Sequence, residues 1–445
     1  MKKLFGTDGM RGKADQFPLD KPTIAKVGGS LSKQFYEKLK RQPRFVIGRD
    51  TRESSEWIEN AFCAGAENAE CVSAGVITTP GVAFLAKNFN FDAGIVISAS
   101  HNPFEDNGIK IFSPSGKKVD ENTERAIEKD IFDEEFMPND KKAVCDDSRA
   151  AEFQNRYLQY LSNGFKDLSL EGFKVVIDCA NGAASHLAPR LFESFCAEVT
   201  AINYQPDGRN INENCGSLHL EHLQKKVTEI KADFGVAFDG DADRSLFVDE
   251  TGSLVDGDAT LWIMANYLDS HGKLNNEKVI ATVMSNIGLE IALKSKNIEL
   301  VRTAVGDKYV LEELLKTGAS IGGEQSGHII FPNKSLVGDG MMTALFLLQA
   351  IREKGVAFSE MKNGFTQYPQ ILVNVKVREK QPFEQVPAIA DAAKEIENQL
   401  NGKGRLLLRY SGTENLARVM IEGENQAEIE AQANNLAEVI KQNLS

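Results

Sequence analysis

Short runs of β-branched residues alternate with longer stretches of helical period along most of this chain, and that alternation restricts its fold more than any other feature. Arg44–Gly48, Gly94–Ile97, Lys174–Ile177 and Lys278–Ala281 each read as a buried strand close to a helical segment. Leu223, Val227 and Ile230 show the three- and four-residue apolar spacing of such a helix. The expectation is α/β architecture with mainly parallel strands. At 445 residues the chain exceeds one ordinary core, and roughly 150 residues per domain suggests three or four domains. Polar stretches at Asp140–Lys142, near Gly257 and at 363–369 place the expected boundaries, giving domains at 1–147, 148–255, 256–366 and 367–445. The last reads as a strand (Ile371–Val375), a helix (about 385–400), a strand pair (Arg405–Arg409, Arg418–Glu422) and a helix (Gln426–Gln442), a small α+β layer.

Hydrophobic residues at 42% and charged residues at 26% are globular proportions. With 51 basic against 64 acidic residues the net charge is −13, which argues against a nucleic-acid or anionic-membrane partner, so any phosphate site must be local. The six cysteines show no Cys-x-x-Cys pairing and are expected to be isolated reduced thiols. No apolar leader and no run of about 18 apolar residues occur, so a cytoplasmic protein is expected.

Four loops carry candidate chemistry. The first, Ser98-Ala99-Ser100-His101-Asn102-Pro103, follows a strand and leads to Lys110; a serine there can be a nucleophile, with His101 or Lys110 managing protons or charge. Spacing does not choose between Ser98 and Ser100. In the second, the apolar run 236–238 enters Asp239-Gly240-Asp241-Ala242-Asp243-Arg244, three carboxylates at alternate positions. Oxygen ligands so spaced suit Mg²⁺ or Ca²⁺. A Ca²⁺ loop of the EF-hand kind would use Asp239, Asp241, Asp243 and Glu250. Arg244 stands where its sharp turn requires glycine, however, and both flanks read as strands. A Mg²⁺ held by three carboxylates keeps open positions for a phosphate oxygen, with Arg244 offsetting further negative charge.

The third loop, Gly322-Gly323-Glu324-Gln325-Ser326-Gly327-His328, offers the mixed donors and acceptors that sugar hydroxyls want. The fourth, Arg409-Tyr410-Ser411-Gly412-Thr413-Glu414-Asn415 with Arg418 after it, offers guanidinium, hydroxyl and amide groups suited to a phosphate. The first, third and fourth loops, taken alone, are also compatible with an ordinary turn.

Together and in this order, Ser-Ala-Ser-His-Asn-Pro, Asp-Gly-Asp-Ala-Asp-Arg, Gly-Glu-Gln-Ser-Gly-His and Arg-x-Ser-Gly-Thr-Glu resemble the α-D-phosphohexomutases over essentially the whole chain. Phe5–Gly12, Asn210–Ser217 and Gln325 look like the bacterial branch that acts on amino-sugar phosphates. The resemblance implies three α/β domains with mixed sheets plus a smaller C-terminal α+β domain around a central cleft, one loop to each domain. It selects Ser100 over Ser98 as the phosphorylated serine and makes Asp239, Asp241 and Asp243 Mg²⁺ ligands, completed by a phosphoserine oxygen. It assigns Glu324 and Ser326 to sugar hydroxyls, with His328 close by, and Arg409, Ser411, Gly412 and Thr413, with Arg418 near, to the non-transferring phosphate. Arg11, Lys110 and Arg244 would surround the reacting phosphoryl group, and Lys110 or His328 would serve as general acid or base. Two departures stand out: Asn415 replaces the proline usual after Gly-Thr-Glu, which puts the stiffness of that loop in doubt, and Leu218 stands where threonine is common.

The activity so implied is interconversion of glucosamine 6-phosphate and glucosamine 1-phosphate through a 1,6-bisphosphate, with a glucosamine or glucose 1,6-bisphosphate as activator. It would feed UDP-N-acetylglucosamine synthesis for the cell wall. The partner is a small phosphosugar, and a homodimer is compatible with the sequence. The rivals are a phosphomannomutase or phosphoglucomutase using the same groups, a Ca²⁺-binding protein built on the Asp239 loop, and a non-catalytic sugar-phosphate sensor.

Overall fold

A computed structural model describes residues 3–137, 144–411 and 415–444. The polar stretch Asp140–Lys142, and Gly412 and Thr413 of the fourth loop, lie outside the described residues. The chain forms two compact units: residues 1–284 with 301–363, and residues 285–300 with 364–445.

The first unit holds three sheets. One runs Phe5–Gly6, Gly9–Lys13, Asp106–Phe112, Ala93–Ile97, Arg44–Arg49, Glu70–Val76; the next runs Leu254–Val255, Ser245–Asp249, Phe234–Phe238, Lys174–Asp178, Glu198–Ile202. In the third, Lys278–Thr282 pairs in parallel with Gly322–Gly323, which pairs antiparallel with Ile329–Ile330. The sheets are mixed, as the resemblance implies, rather than mainly parallel, and loop length is the reason. Ala93–Ile97 is parallel to Arg44–Arg49 but antiparallel to Asp106–Phe112, and Phe234–Phe238 is antiparallel to Ser245–Asp249. Residues 98–105 and 239–244 are too few for a crossover, which takes about a dozen residues or more, so both chains turn straight back. Those two tight returns are the serine loop and the aspartate loop.

Local chemistry sets the helices that flank them. Thr78 caps Thr79–Asn88 by accepting from the Gly81 amide at 3.2 Å, with Pro80 in the first turn. Asp339 caps Gly340–Lys354, accepting from Met342 N at 3.0 Å, and that helix ends at Gly355 in a left-handed turn. Ala93–Ile97 is buried at all five residues, as expected for a strand covered on both faces.

The second unit is a three-stranded antiparallel sheet, ordered Gln370–Lys376, Leu416–Glu422, Arg405–Tyr410, with helices Pro387–Leu400 and Gln426–Leu444. Its core gathers Val375, Ile389, Val419, Ile421, Leu436 and Ile440. Helix Ile287–Ser295 belongs to it although it lies far back in sequence. The Ile287 amide donates to Glu422 Oε2 at 3.1 Å, and the Asn286 side chain exchanges bonds with Tyr368 N and O at 3.0 and 2.9 Å.

The cysteines carry no disulfide, yet they are not all isolated. Cys63, Cys71 and Cys145 pack in one apolar cluster, because the parallel bridge Val72–Asp146 lays the chain after residue 144 beside the edge strand.

Candidate active site

Three of the four loops lie in the first unit. Ser100 adopts a left-handed backbone, φ 55°, and its Oγ lies 2.5 Å from Asp239 Oδ2 and 3.3 Å from His101 Nδ1. Ser98 turns the other way, donating to Asp50 Oδ2 at 2.6 Å. The structure thus brings Ser100, and not Ser98, to the carboxylates.

Asp239, Asp241 and Asp243 are buried, and their nearest carboxylate oxygens lie within 4.8 Å of one another. Among the described residues Asp241 Oδ1 is buried and accepts no hydrogen bond. Burial, then repulsion from Asp241 and Asp243, drives the Asp239 carboxyl well above its ordinary pKa. An orphaned carboxylate oxygen inside an all-oxygen set with surplus negative charge fits a hard divalent cation. The flanks are strands and Glu250 binds the Ser359 side chain and its amide instead, so the EF-hand reading fails.

Cations are packed around the cluster. Lys110, 1% exposed, reaches Asp241 Oδ2 at 2.8 Å, Asp243 Oδ2 at 3.0 Å and Asp8 Oδ2 at 3.2 Å. Burial alone would lower its pKa, but Asp241, Asp243 and Asp8 outweigh it and hold the ammonium charged. Arg11 pairs with Asp8 and donates to Ala99 O at 3.0 Å; Arg244 lies 3.2 Å from His101 Nδ1 through Nη1. Both Arg11 Nε and Arg244 Nε are buried donors without a hydrogen-bond partner among the described residues. His101 is depressed to about 4 by burial and then by Arg244 and Arg11, so it is neutral at pH 7.

The third loop seats on the second. Gly327, at φ 90°, would place a Cβ 2.1 Å from Ser245 O, and Ser245 N donates to Gly327 O at 3.1 Å. Glu324 is buried and accepts from Gly306 N at 3.1 Å, whereas Ser326 is exposed. His328 Nδ1 lies 3.6 Å from Asp243 Oδ1. Burial pushes against its charge, but Asp243 and then Asp307 raise it to about 9. The Gly338 amide nevertheless donates to Nε2 at 3.0 Å, a bond only an unprotonated nitrogen accepts, so the geometry selects the Nδ1–H tautomer.

The fourth loop belongs to the second unit. Arg409 and Arg418 are register partners on adjacent strands, and burial followed by Arg418 lowers the Arg409 pKa. Ser411 N donates to Leu416 O at 2.8 Å, and Lys380 Nζ to Ser411 O at 2.7 Å. Asn415, in place of proline, accepts from Val377 N at 3.0 Å. Tyr410 stacks on Phe383 at 4.2 Å and donates to Gln381 O at 2.5 Å, anchoring the strand that enters the loop.

Several residues of the site escaped sequence reasoning. Asp8 joins Arg11, Lys110 and Lys118; Lys118 also binds Asp307 at 2.7 Å. Thr79 donates to Asp241 Oδ2 at 2.5 Å. None stands in a spacing pattern, and only the Phe5–Gly12 opening pointed toward Asp8.

Profiles of the phosphoglucomutase/phosphomannomutase family match in chain order: alpha/beta/alpha domain I at residues 2–138, domain II at 155–252, domain III at 256–368 and the C-terminal domain at 372–439. The chain belongs to this phosphohexomutase family, with its mixed α/β domains and small C-terminal domain, and is an isomerase that works by phosphoryl transfer. Within the family, a phosphoglucosamine mutase from Caldicellulosiruptor saccharolyticus is 49% identical over 451 residues, covering 100% of both chains. The crystal structure of a phosphoglucomutase/phosphomannomutase family protein from Burkholderia thailandensis superimposes with TM-score 0.80 at 22% identity, over 99% of this chain and 97% of that one. Aspergillus fumigatus N-acetylphosphoglucosamine mutase, solved with GlcNAc-6P and magnesium, gives TM-score 0.70 at 19% identity over 99% and 95%.

Proposed function

We propose that the chain interconverts glucosamine 6-phosphate and glucosamine 1-phosphate through a phosphorylated Ser100 and a 1,6-bisphosphate. The observation that carries this is Ser100 Oγ at 2.5 Å from the buried Asp239 carboxylate, at the edge of a three-carboxylate cluster. The full-length likeness to phosphoglucosamine mutases supports the choice of sugar.

In the forward direction the Ser100 Oγ–P bond breaks as sugar O1 bonds to phosphorus, and the O1 proton ends on the departing Oγ. His101, neutral and beside Oγ, is placed to hold that proton in passage. The bisphosphate then turns end for end, the O6–P bond breaks as Oγ bonds to that phosphorus, the Oγ proton passes to O6, and glucosamine 1-phosphate leaves. Arg11 and Arg244 supply the two orphaned buried donors to phosphoryl oxygens, and Lys110 adds fixed positive charge. Asp239, Asp241 and Asp243, with an oxygen on Ser100, would hold Mg²⁺, which when bound acts as a Lewis acid on the phosphoryl oxygens. Glu324 and Ser326 serve sugar hydroxyls, and His328 orients the cluster through Asp243. In the second unit, two guanidiniums opposed in register suit an anion, which supports Arg409 and Arg418 as phosphate ligands with Ser411, Gly412 and Thr413.

No helix among the described residues is long and apolar enough to cross a membrane, in keeping with a cytoplasmic enzyme of small phosphosugars. The deciding experiment is turnover of glucosamine, glucose and mannose 6-phosphates side by side, with Mg²⁺ and a trace of glucose 1,6-bisphosphate. The largest kcat/KM is expected for glucosamine 6-phosphate; a larger value for either neutral sugar refutes the assignment.

A further inference from the structure

Behind the serine loop sits a guanidinium that the reaction as described does not use. The Arg52 side chain is fully buried, and each of its five N–H groups has an acceptor. Nε donates to Asp50 Oδ2 at 2.8 Å; Nη2 donates to Ser100 O at 3.0 Å and Asn102 O at 2.9 Å; Nη1 donates to Asp106 O at 3.0 Å and also to Pro103 O. Four of the five bonds therefore end on carbonyls of one loop, between Ser100 and Asp106. Asp50 neutralises the charge and extends the brace. It accepts from Ser98 Oγ at 2.6 Å, and Ser98 Oγ in turn accepts from the Ser100 amide at 2.9 Å. From the opposite side Asn212 Nδ2 donates to the same two carbonyls, Ser100 O at 2.9 Å and Asn102 O at 3.0 Å. Both lone pairs of Ser100 O and its N–H are thereby occupied.

We propose that Arg52, anchored by Asp50 and opposed by Asn212, is a positioning residue that holds Ser100 in its left-handed conformation, so that Oγ keeps one direction as both leaving group and nucleophile. This rests on the assignment of Ser100 as the phosphoryl carrier. A left-handed backbone crowds the Cβ of a serine, so the loop needs outside bonds to stay there. Relaxation to negative φ would rotate Cβ and swing Oγ off Asp239. The aspartate loop closes the remaining side: a Cβ on Gly240 would lie 2.5 Å from Ser100 O, so the two loops keep register only while that carbonyl stays put. An ion pair kept merely for packing would have no reason to aim four donors at the carbonyls of the reacting segment. Lysine cannot replace this fork, because its three donors radiate from a single point.

The test uses the full-length enzyme, charged with glucose 1,6-bisphosphate and mixed with glucosamine 6-phosphate in a quench-flow instrument. The single-turnover rate constant refers to charged molecules only, so a misfolded fraction does not move it. Arg52→Lys is expected to transfer roughly tenfold to a hundredfold more slowly with KM unchanged, the loss that a small misplacement of reacting atoms produces. Asn212→Ala, which leaves no buried charge behind, is expected to slow transfer by a smaller factor in the same sense. A wild-type rate constant in Arg52→Lys overturns the proposal. If that variant does not fold, a wild-type rate constant in Asn212→Ala does so instead. An unsubstituted enzyme that turns over sugar without ever carrying phosphate on Ser100 would instead sink the carrier assignment itself.

Discussion

Lys110→Met removes the ammonium that touches Asp241, Asp243 and Asp8 at 2.8, 3.0 and 3.2 Å while keeping an unbranched side chain of similar length. At an effective dielectric of about 20, unit charges 3 Å apart attract by roughly 6 kcal/mol, and much of that is offset by desolvation of the ions. Breaking such a buried contact leaves uncompensated carboxylates and costs about 3–5 kcal/mol. At about 2–4 °C per kcal/mol, the first unfolding transition should fall by roughly 6–20 °C when measured in EDTA. A divalent cation held by the same carboxylates supplies the missing charge, and binding to the native state alone stabilises it by linkage. The variant, with more negative charge at the site, should gain more from millimolar Mg²⁺ than the parent, so the gap narrows. Thermal unfolding of both proteins, with EDTA and then with a Mg²⁺ series, reads both effects. Equal transitions in EDTA, or a gap that Mg²⁺ leaves unchanged, would show that the lysine and the cation do not balance the same carboxylates.

Other outcomes follow from single contacts. Ser100→Ala should stay folded but gain no phosphate by intact mass when incubated with glucose 1,6-bisphosphate; retained mutase turnover would eliminate the covalent route. Arg409→Ala should raise KM for glucosamine 6-phosphate by the roughly 1.5–3 kcal/mol of a charge-assisted contact, and unchanged kinetics would remove the fourth loop from the site. Asp339, its carboxyl raised by burial to about 6 against the pull of Met342 N and Tyr157 OH, keeps its proton in the native state after the unfolded chain has lost it. Its contribution is therefore largest below about pH 4 and falls as pH rises to 6, a loss of about 3 kcal/mol by pH 7. Asp339→Asn does not titrate, so the parent should gain stability over it from pH 7 to pH 4 in denaturant unfolding; a flat difference would contradict the burial argument.

Much of this was readable from the residues because strand and turn chemistry is local. Three aspartates at alternate positions after an apolar strand announce a charged turn, and the strand Phe234–Phe238 and return Ser245–Asp249 form as that pattern demands. Periodicity alone favours mainly parallel strands while the resemblance implies the mixed sheets that form, and the shortness of 98–105 and 239–244 carries the same information. Ser98 and Ser100 share one loop, and only Asp50, brought in from the turn after strand Arg44–Arg49, shows that the first hydroxyl is taken. Asp8, Thr79 and Lys118 act through contacts between segments far apart in sequence, for which no local pattern exists. The same holds for the three neighbouring thiols, whose proximity depends on a bridge between residues 72 and 146.

Helix Ile287–Ser295, packed on the C-terminal sheet through Glu422 and Tyr368, gives the smaller unit two separate coding stretches. Swapping that unit between relatives at a single breakpoint after Asn363 would pair a foreign sheet with a native helix and leave the Ile287 amide dependent on whatever residue the relative carries in place of Glu422. A working chimera needs both segments exchanged as one set, and a fragment beginning at Gly364 would lack the Asn286 side chain and Ile287 amide that bind Tyr368 and Glu422.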